Sequence, residues 1–151
     1  MSGIFDEGKM LQVLGEYIPD GETLLAGIHG NTLQVNKKKS SQFSVYVGIT
    51  ARHLLVVECE EREYLDGYNL IADLRNTVEE DVGACFLLTD IKSCSIKKGM
   101  LGSVNCSITL KDGGFLKLQF PKLAGLGKGM PHHAEYREKI IACLSALNCE
   151  H

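Results

Sequence analysis

"SVNCSITLKDGGFLKLQF", residues 103–120, decides the fold class. Val104, Cys106, Ile108 and Leu110 alternate with Asn105, Ser107 and Thr109, the period of a strand with one face buried. Lys111-Asp112-Gly113-Gly114 then supplies the backbone freedom of a hairpin turn. The chain returns through Leu116, Leu118 and Phe120 inward, with Lys117 and Gln119 outward. Upstream, "KKGMLG" at 97–102 turns a preceding strand that runs through Ile96. Two consecutive hairpins make an antiparallel meander.

The same reading extends in both directions. Phe43, Val45, Val47 and Ile49 alternate with Ser44, Tyr46, Gly48 and Thr50, and "TARH" (50–53) leads into a strand "LLVVEC" at 54–59. "CFLLTD" adds a short strand and a bend near Thr89-Asp90, and "TLLAGIHG" (23–30) reads as the first strand of the set. Met10, Leu11, Leu14 and Tyr17 fall at helical intervals within residues 4–18, and "PDGE" (19–22) has the chemistry of a turn. After Pro121, "KLAGLGKGM" is a glycine-rich connector, and Pro131 suits the first turn of a helix. Tyr136, Ile140, Cys143, Leu144 and Leu147 form one stripe, with Glu135, Arg137, Glu138 and Lys139 mostly off it. The expected fold is mainly β with a C-terminal α element: about seven antiparallel strands and a helix over 131–148 plugging the open end of a curved sheet.

Composition sets the outer bounds. A chain of 151 residues with 44% hydrophobic content can bury one core. No apolar run nears the roughly 18 residues a membrane-spanning helix needs. "MSGIFDEGKMLQ" lacks the basic start and apolar stretch of a secretory signal, so a cytoplasmic location is expected. Cys59, Cys85, Cys94, Cys106, Cys143 and Cys149 contain no C-x-x-C pair. Reduced thiols are expected, with Cys94, Cys106 and Cys143 acting as small buried hydrophobes and no structural zinc.

The quoted strands and turns resemble a known family. "VYVGITARHLLVV" (45–57), "LLTDIKSCSIKKGMLGS" (87–103) and "ITLKDGGFLKLQFPK" (108–122) resemble the pleckstrin-homology-like (PH-like) superfold, including bacterial PH domains and their GRAM-like relatives. The resemblance implies a barrel of two packed antiparallel sheets capped by the C-terminal helix. It covers about residues 22–148, leaving residues 1–21 as an N-terminal helical extension. The PH-like domain then runs over 22–151, with an acidic insertion at 60–82 in which Tyr64, Tyr68, Ile71 and Leu74 suit a short amphipathic helix. Its motifs are strand edges and turns, which specify fold better than function.

Charge provides the candidate sites. Lys37, Lys38 and Lys39 fall between the first two strands, where lipid-binding members of the resembled family hold an inositol phosphate. Neither flanking strand stretch, "TLLAGIHG" or "QFSVYVGIT", carries a second set of cations, so a solvated turn is the plainer reading. With Lys97 and Lys98 these lysines form the candidate contact to an anionic surface.

Residues 60–81 hold eight acids against two arginines, whereas residues 92–128 hold seven lysines against Asp112 alone. The second candidate is therefore self-association. Glu60, Glu61, Glu63, Asp66, Tyr64 and Tyr68 of one copy would meet Lys92, Lys111 and Lys117 of another, as some bacterial PH-like proteins assemble symmetrically.

Catalysis has no recognisable constellation. "GLGKG" (125–129) fails the spacing of a phosphate loop, and adjacent His132 and His133 cannot ligate one metal from one helix face. These two histidines read as exposed first-turn residues, and His29 and His53 as strand-edge residues. There is no G-x-S-x-G nucleophile elbow. The expectation is a non-catalytic interaction module with a homo-oligomeric or protein partner, no cofactor, no metal, no nucleic acid and no transmembrane segment. Weak anionic-lipid contact is the alternative.

Overall fold

The computed structural model describes residues 7–35, 38–58, 83–122 and 131–147. Helix α1 (Glu7–Gly15) comes first. Seven strands follow: β1 (Ala26–Val35), β2 (Lys38–Ile49), β3 (His53–Glu58), β4 (Gly83–Leu87), β5 (Ile91–Lys98), β6 (Val104–Leu110) and β7 (Phe115–Phe120). Helix α2 (His133–Ala146) ends the described chain. The protein is mainly β, as the alternation predicts, and the expected terminal helix is present.

The strands form a single antiparallel sheet in the order β4-β3-β2-β1-β7-β6-β5. The two halves expected as separate sheets are thus joined through β1. That strand pairs with β2 from Ala26 to Val35 but with β7 only from Asn31 onward. Both ladders shift register between Thr32 and Gln34, so Leu33 is a bulge that bends the strand. β4 and β5 are opposite edges, yet only Leu88–Asp90 separate them. The four Cα–Cα steps from Leu87 to Ile91 reach about 14 Å at most, so the sheet must curl until its edges meet at this corner. The Leu88 N–H donates to Arg52 O at 2.8 Å and ties the corner down.

The first two strands are longer than expected. Residues 31–35 and 38–41 belong to strands, not to a long loop. "NTLQVNKKKSSQ" has no clean alternation to announce this. The β1 half is held by β7, a partner more than eighty residues away.

The curl gives two unlike faces. On the concave side Ile28, Val47, Leu54, Val56, Ile108, Leu116, Leu118 and Phe120 pack against Ile140 and Leu144 of α2. Each such aliphatic or aromatic side chain contributes about 1.5–3 kcal/mol through burial. α2 lies against β1 and reaches β5 on the concave side. It therefore acts as the predicted plug.

The convex side of β1–β3 is covered as well, by Met10 and Leu14 of α1 over Tyr46, Leu55 and Val57. Gly27 and Gly48 sit opposite each other on that face. A Cβ on Gly27 would lie 2.5 Å from Met10 Sδ and 2.8 Å from Leu14 Cδ1. A Cβ on Gly48 would lie 2.9 Å from Leu14 Cδ1. The glycine pair is the notch into which α1 settles.

Among the described residues, no helix is long and apolar enough to cross a membrane.

Candidate functional site

The ladder registers separate the lysines into two groups. Lys97 and Lys98 pair with Asn105 and Val104, at the strand ends beside the 99–103 turn. Lys38 and Lys39 pair with Val35 and Gln34, and Val35 pairs in turn with Leu116, near the 111–114 turn at the other end. The lysines expected to form one anionic contact are therefore set at opposite strand ends. Lys37 lies outside the described residues. Lys38 and Lys39 belong to β2 itself, not to a loop.

The 99–103 turn has unusual backbone chemistry. Leu101 has φ 55° and ψ 36°, the left-handed region that a side chain disfavours, and Gly102 follows with φ 79°. The Gly99 N–H donates to Ser103 O at 2.8 Å and closes the turn. Leu101 is 94% exposed, the most exposed large hydrophobic residue described. Lys122 packs along the same turn, since a Cβ on Gly102 would meet its Cδ at 2.9 Å. An apolar tip thus projects from a rim carrying Lys97, Lys98 and Lys122, all exposed. The rim is positively charged, and a lysine held close to an anionic bilayer contributes about 1 kcal/mol in general.

The second basic group adjoins the 111–114 turn. Asp112 Oδ1 accepts the Gly114 N–H at 2.9 Å, and the Lys111 N–H donates to Asp90 O at 2.8 Å. Lys92 and Lys111 are thereby brought to one corner, both exposed. Lys117 stands in the middle of β7, facing outward beside Ser107 and Gln34 in the ladder. It shares the outer face of β5–β7 with Ser95, Lys97, Asn105, Thr109 and Gln119, where the only charged groups described are lysines. Asn31 Nδ2 donates to Gln119 Oε1 at 3.1 Å along this face. Glu60, Glu61, Glu63, Tyr64, Asp66 and Tyr68 lie outside the described residues, as does "GLGKG".

The histidines differ from the sequence expectation. His132 is exposed, but it is engaged: its backbone N–H donates to Glu7 Oε1 at 2.9 Å and its Nδ1 to Glu7 Oε2 at 2.7 Å. That hydrogen bond, with the carboxylate charge, raises the His132 pKa above the usual imidazole range. It also joins the first turns of α1 and α2.

His133, expected to be exposed, is buried. Its Nε2 donates to Pro121 O at 2.8 Å, while Nδ1 has no hydrogen-bond partner among the described residues. Burial holds its pKa below the ordinary value. Arg137 donates to Phe120 O at 3.4 Å from the next turn. The start of the plug helix is thus tethered to the end of β7, which explains why a helix-start histidine turns inward. His29, expected at a strand edge, is buried within β1.

A third cluster fixes the β2–β3 turn. Thr50, fully buried, donates from Oγ1 to Glu22 Oε1 and accepts the N–H groups of Arg52 and His53 at 3.2 and 2.9 Å. His53 Nδ1 donates to the same Glu22 oxygen at 2.9 Å. The Thr50 hydroxyl is the main reason the Glu22 carboxyl titrates below its usual value. The cluster ties the "PDGE" turn to the sheet. No motif reveals it, because its members are about thirty residues apart in the chain.

Among the described residues, no group of three or more histidine, cysteine or acidic side chains is placed to hold a metal ion.

No protein-family model matches the chain, and no curated protein matches it. Two solved structures are similar in shape. One is the C-terminal domain of an unknown protein from Leishmania infantum, 14% identical over 92% of each chain with a TM-score of 0.49. The other is the hSac2 domain from the human phosphoinositide phosphatase Sac2, 10% identical over 95% of this chain and 85% of that one, with a TM-score of 0.46. Both scores fall below one half, so the fold description rests on strand order and packing alone.

Proposed function

We propose that the chain is a non-catalytic, PH-like interaction module that associates through its outer surface, with a second copy of itself as the leading partner. The observation that carries this reading is the outer face of β5–β7. Among the described residues no helix covers that face, whereas α1 covers the neighbouring half of the sheet, and its described charged groups are lysines. The acid-rich stretch 60–81 has the matching charge. The concave side is filled by α2, which leaves recognition to the exterior. Sedimentation velocity at rising salt tests it. A dimer or larger assembly at low salt should dissociate as screening grows, and Lys97→Glu with Lys117→Glu should abolish it. A monomer at micromolar concentration and low salt ends the reading.

The 99–103 turn favours a second reading, attachment to an anionic bilayer. An exposed leucine amid three lysines matches an interface that is apolar below and negatively charged above. Co-sedimentation with vesicles containing phosphatidylserine, against neutral vesicles, separates it from self-association.

A further inference from the structure

β5 and β6 carry cysteines at diagonal positions on the concave face, Cys94 opposite Ile108 and Cys106 opposite Ile96. The two sulfurs are 3.2 Å apart, and the residues are 3% and 0% exposed. Cys143 of α2 packs against the same cluster and is only half-buried.

We propose that Cys94 and Cys106 are a two-electron redox pair, oxidised by hydrogen peroxide to an internal disulfide and returned to thiols by a small dithiol. A disulfide has a sulfur separation of about 2.05 Å, so the pair must close by roughly 1.2 Å. Diagonal neighbours on adjoining strands stand about 7–8 Å apart at their α-carbons, at the outer limit for a disulfide, so closure also draws β5 and β6 together. Cysteines serving only as fillers have no need of sulfur contact. Here one thiol donates to the other, and that hydrogen bond lowers the pKa of Cys94 while raising that of Cys106. Whichever sulfur ionises accepts the S–H of the other, and the thiolate is the reactive form; attack from Cys94 gives the following steps.

Peroxide is small and uncharged. Both thiols are buried, so the reaction requires a transient local opening of the packing around β5, β6 and α2.

The steps balance. The Cys94 thiolate attacks one peroxide oxygen, the O–O bond breaks, and hydroxide leaves a sulfenic acid on Cys94. Hydroxide takes the proton of Cys106. The Cys106 sulfur then attacks the Cys94 sulfur, and the S–O bond breaks with release of its oxygen, protonated, as water. Two thiols and one peroxide become one disulfide and two waters, with both electrons drawn from sulfur. The return step consumes a dithiol, which leaves as its own disulfide.

The test uses the full reduced chain, treated with limiting peroxide, alkylated and digested with trypsin. Cleavage at Lys97 and Lys98 separates the two cysteines, so a β5–β6 cross-linked peptide is diagnostic. That species should exceed every other cysteine pair by about tenfold, because proximity favours the resolving step. It should disappear with dithiothreitol. Cys106→Ser should accumulate a Cys94 sulfenic acid trapped by dimedone, and Cys143→Ser should keep the cross-link. The wild-type peptide map requires no variant to fold. A dominant cross-link to another cysteine, sulfinic acid at Cys94 in its place, or a chain whose Cys94 and Cys106 stay reduced overturns the proposal.

Discussion

Replacing Leu101 by glycine should move stability and surface binding in opposite directions. Leu101 occupies the left-handed region at φ 55°, ψ 36°, and a non-glycine residue there carries about 1–2 kcal/mol of strain. Its side chain is 94% exposed, so truncation removes almost no packing. Glycine relieves the strain but adds unfolded-chain entropy of roughly 0.5–1 kcal/mol. The net effect is stabilisation of about 0.5–1 kcal/mol, or about 1–4 °C in Tm for a chain of this size. If the 99–103 turn enters a bilayer, the same change forfeits leucine burial worth about 1.5–3 kcal/mol, so anionic-vesicle partitioning should fall about 10- to 100-fold. Thermal unfolding by circular dichroism reads the first quantity and vesicle co-sedimentation the second. A drop in Tm would show that Leu101 is packed or unstrained and would refute the turn geometry. Vesicle binding unchanged by L101G would refute the insertion reading while leaving the turn intact.

Three further changes probe the scaffold. Gly27→Val should drive α1 from its notch, at an overpacking cost of about 1–3 kcal/mol; hydrogen exchange should show α1 amides losing protection while β5–β7 keep theirs. Thr50→Val should destabilise by about 1–3 kcal/mol in chemical denaturation, because two backbone N–H groups and the Glu22 carboxylate lose their partner. The His132–Glu7 contact makes stability depend on pH. A pKa raised in the folded state means the contribution is fully present below the unfolded histidine pKa and is lost as pH rises through the folded one. Glu7→Gln should therefore lower Tm more near pH 5.5 than near pH 8.5, about one unit below and two above the ordinary histidine pKa; an equal drop at both would remove the ion pair from the explanation.

Local patterns were legible in the sequence: strand alternation sufficed for the mainly-β class, turn residues for the meander, and the helical period for the apolar stripe of α2. Residues such as Val104, Cys106, Ile108 and Leu110 declare their face because a strand repeats every two residues. That period says nothing about which strand lies alongside. The place of β1 between β2 and β7, its bulge at Leu33, and the extension of both strands into the lysine segment came only from pairing across the sheet. The split of Lys38 and Lys39 from Lys97 and Lys98 follows from those registers.

Tertiary packing also decided what the helices do. α1 was visible as an amphipath, but its seat on the convex face depends on Gly27 and Gly48 meeting across two strands. The contact between Glu7 and His132 joins residues 125 positions apart, and no local pattern encodes it. His133 is buried because the end of β7 presents a carbonyl to it, and Cys94 meets Cys106 because β5 and β6 align diagonally. Local sequence dictates the conformation and face of a segment through sterics and hydrophobic period. Which groups meet is set by the closure of the whole sheet, a sum over pairings that no single stretch contains.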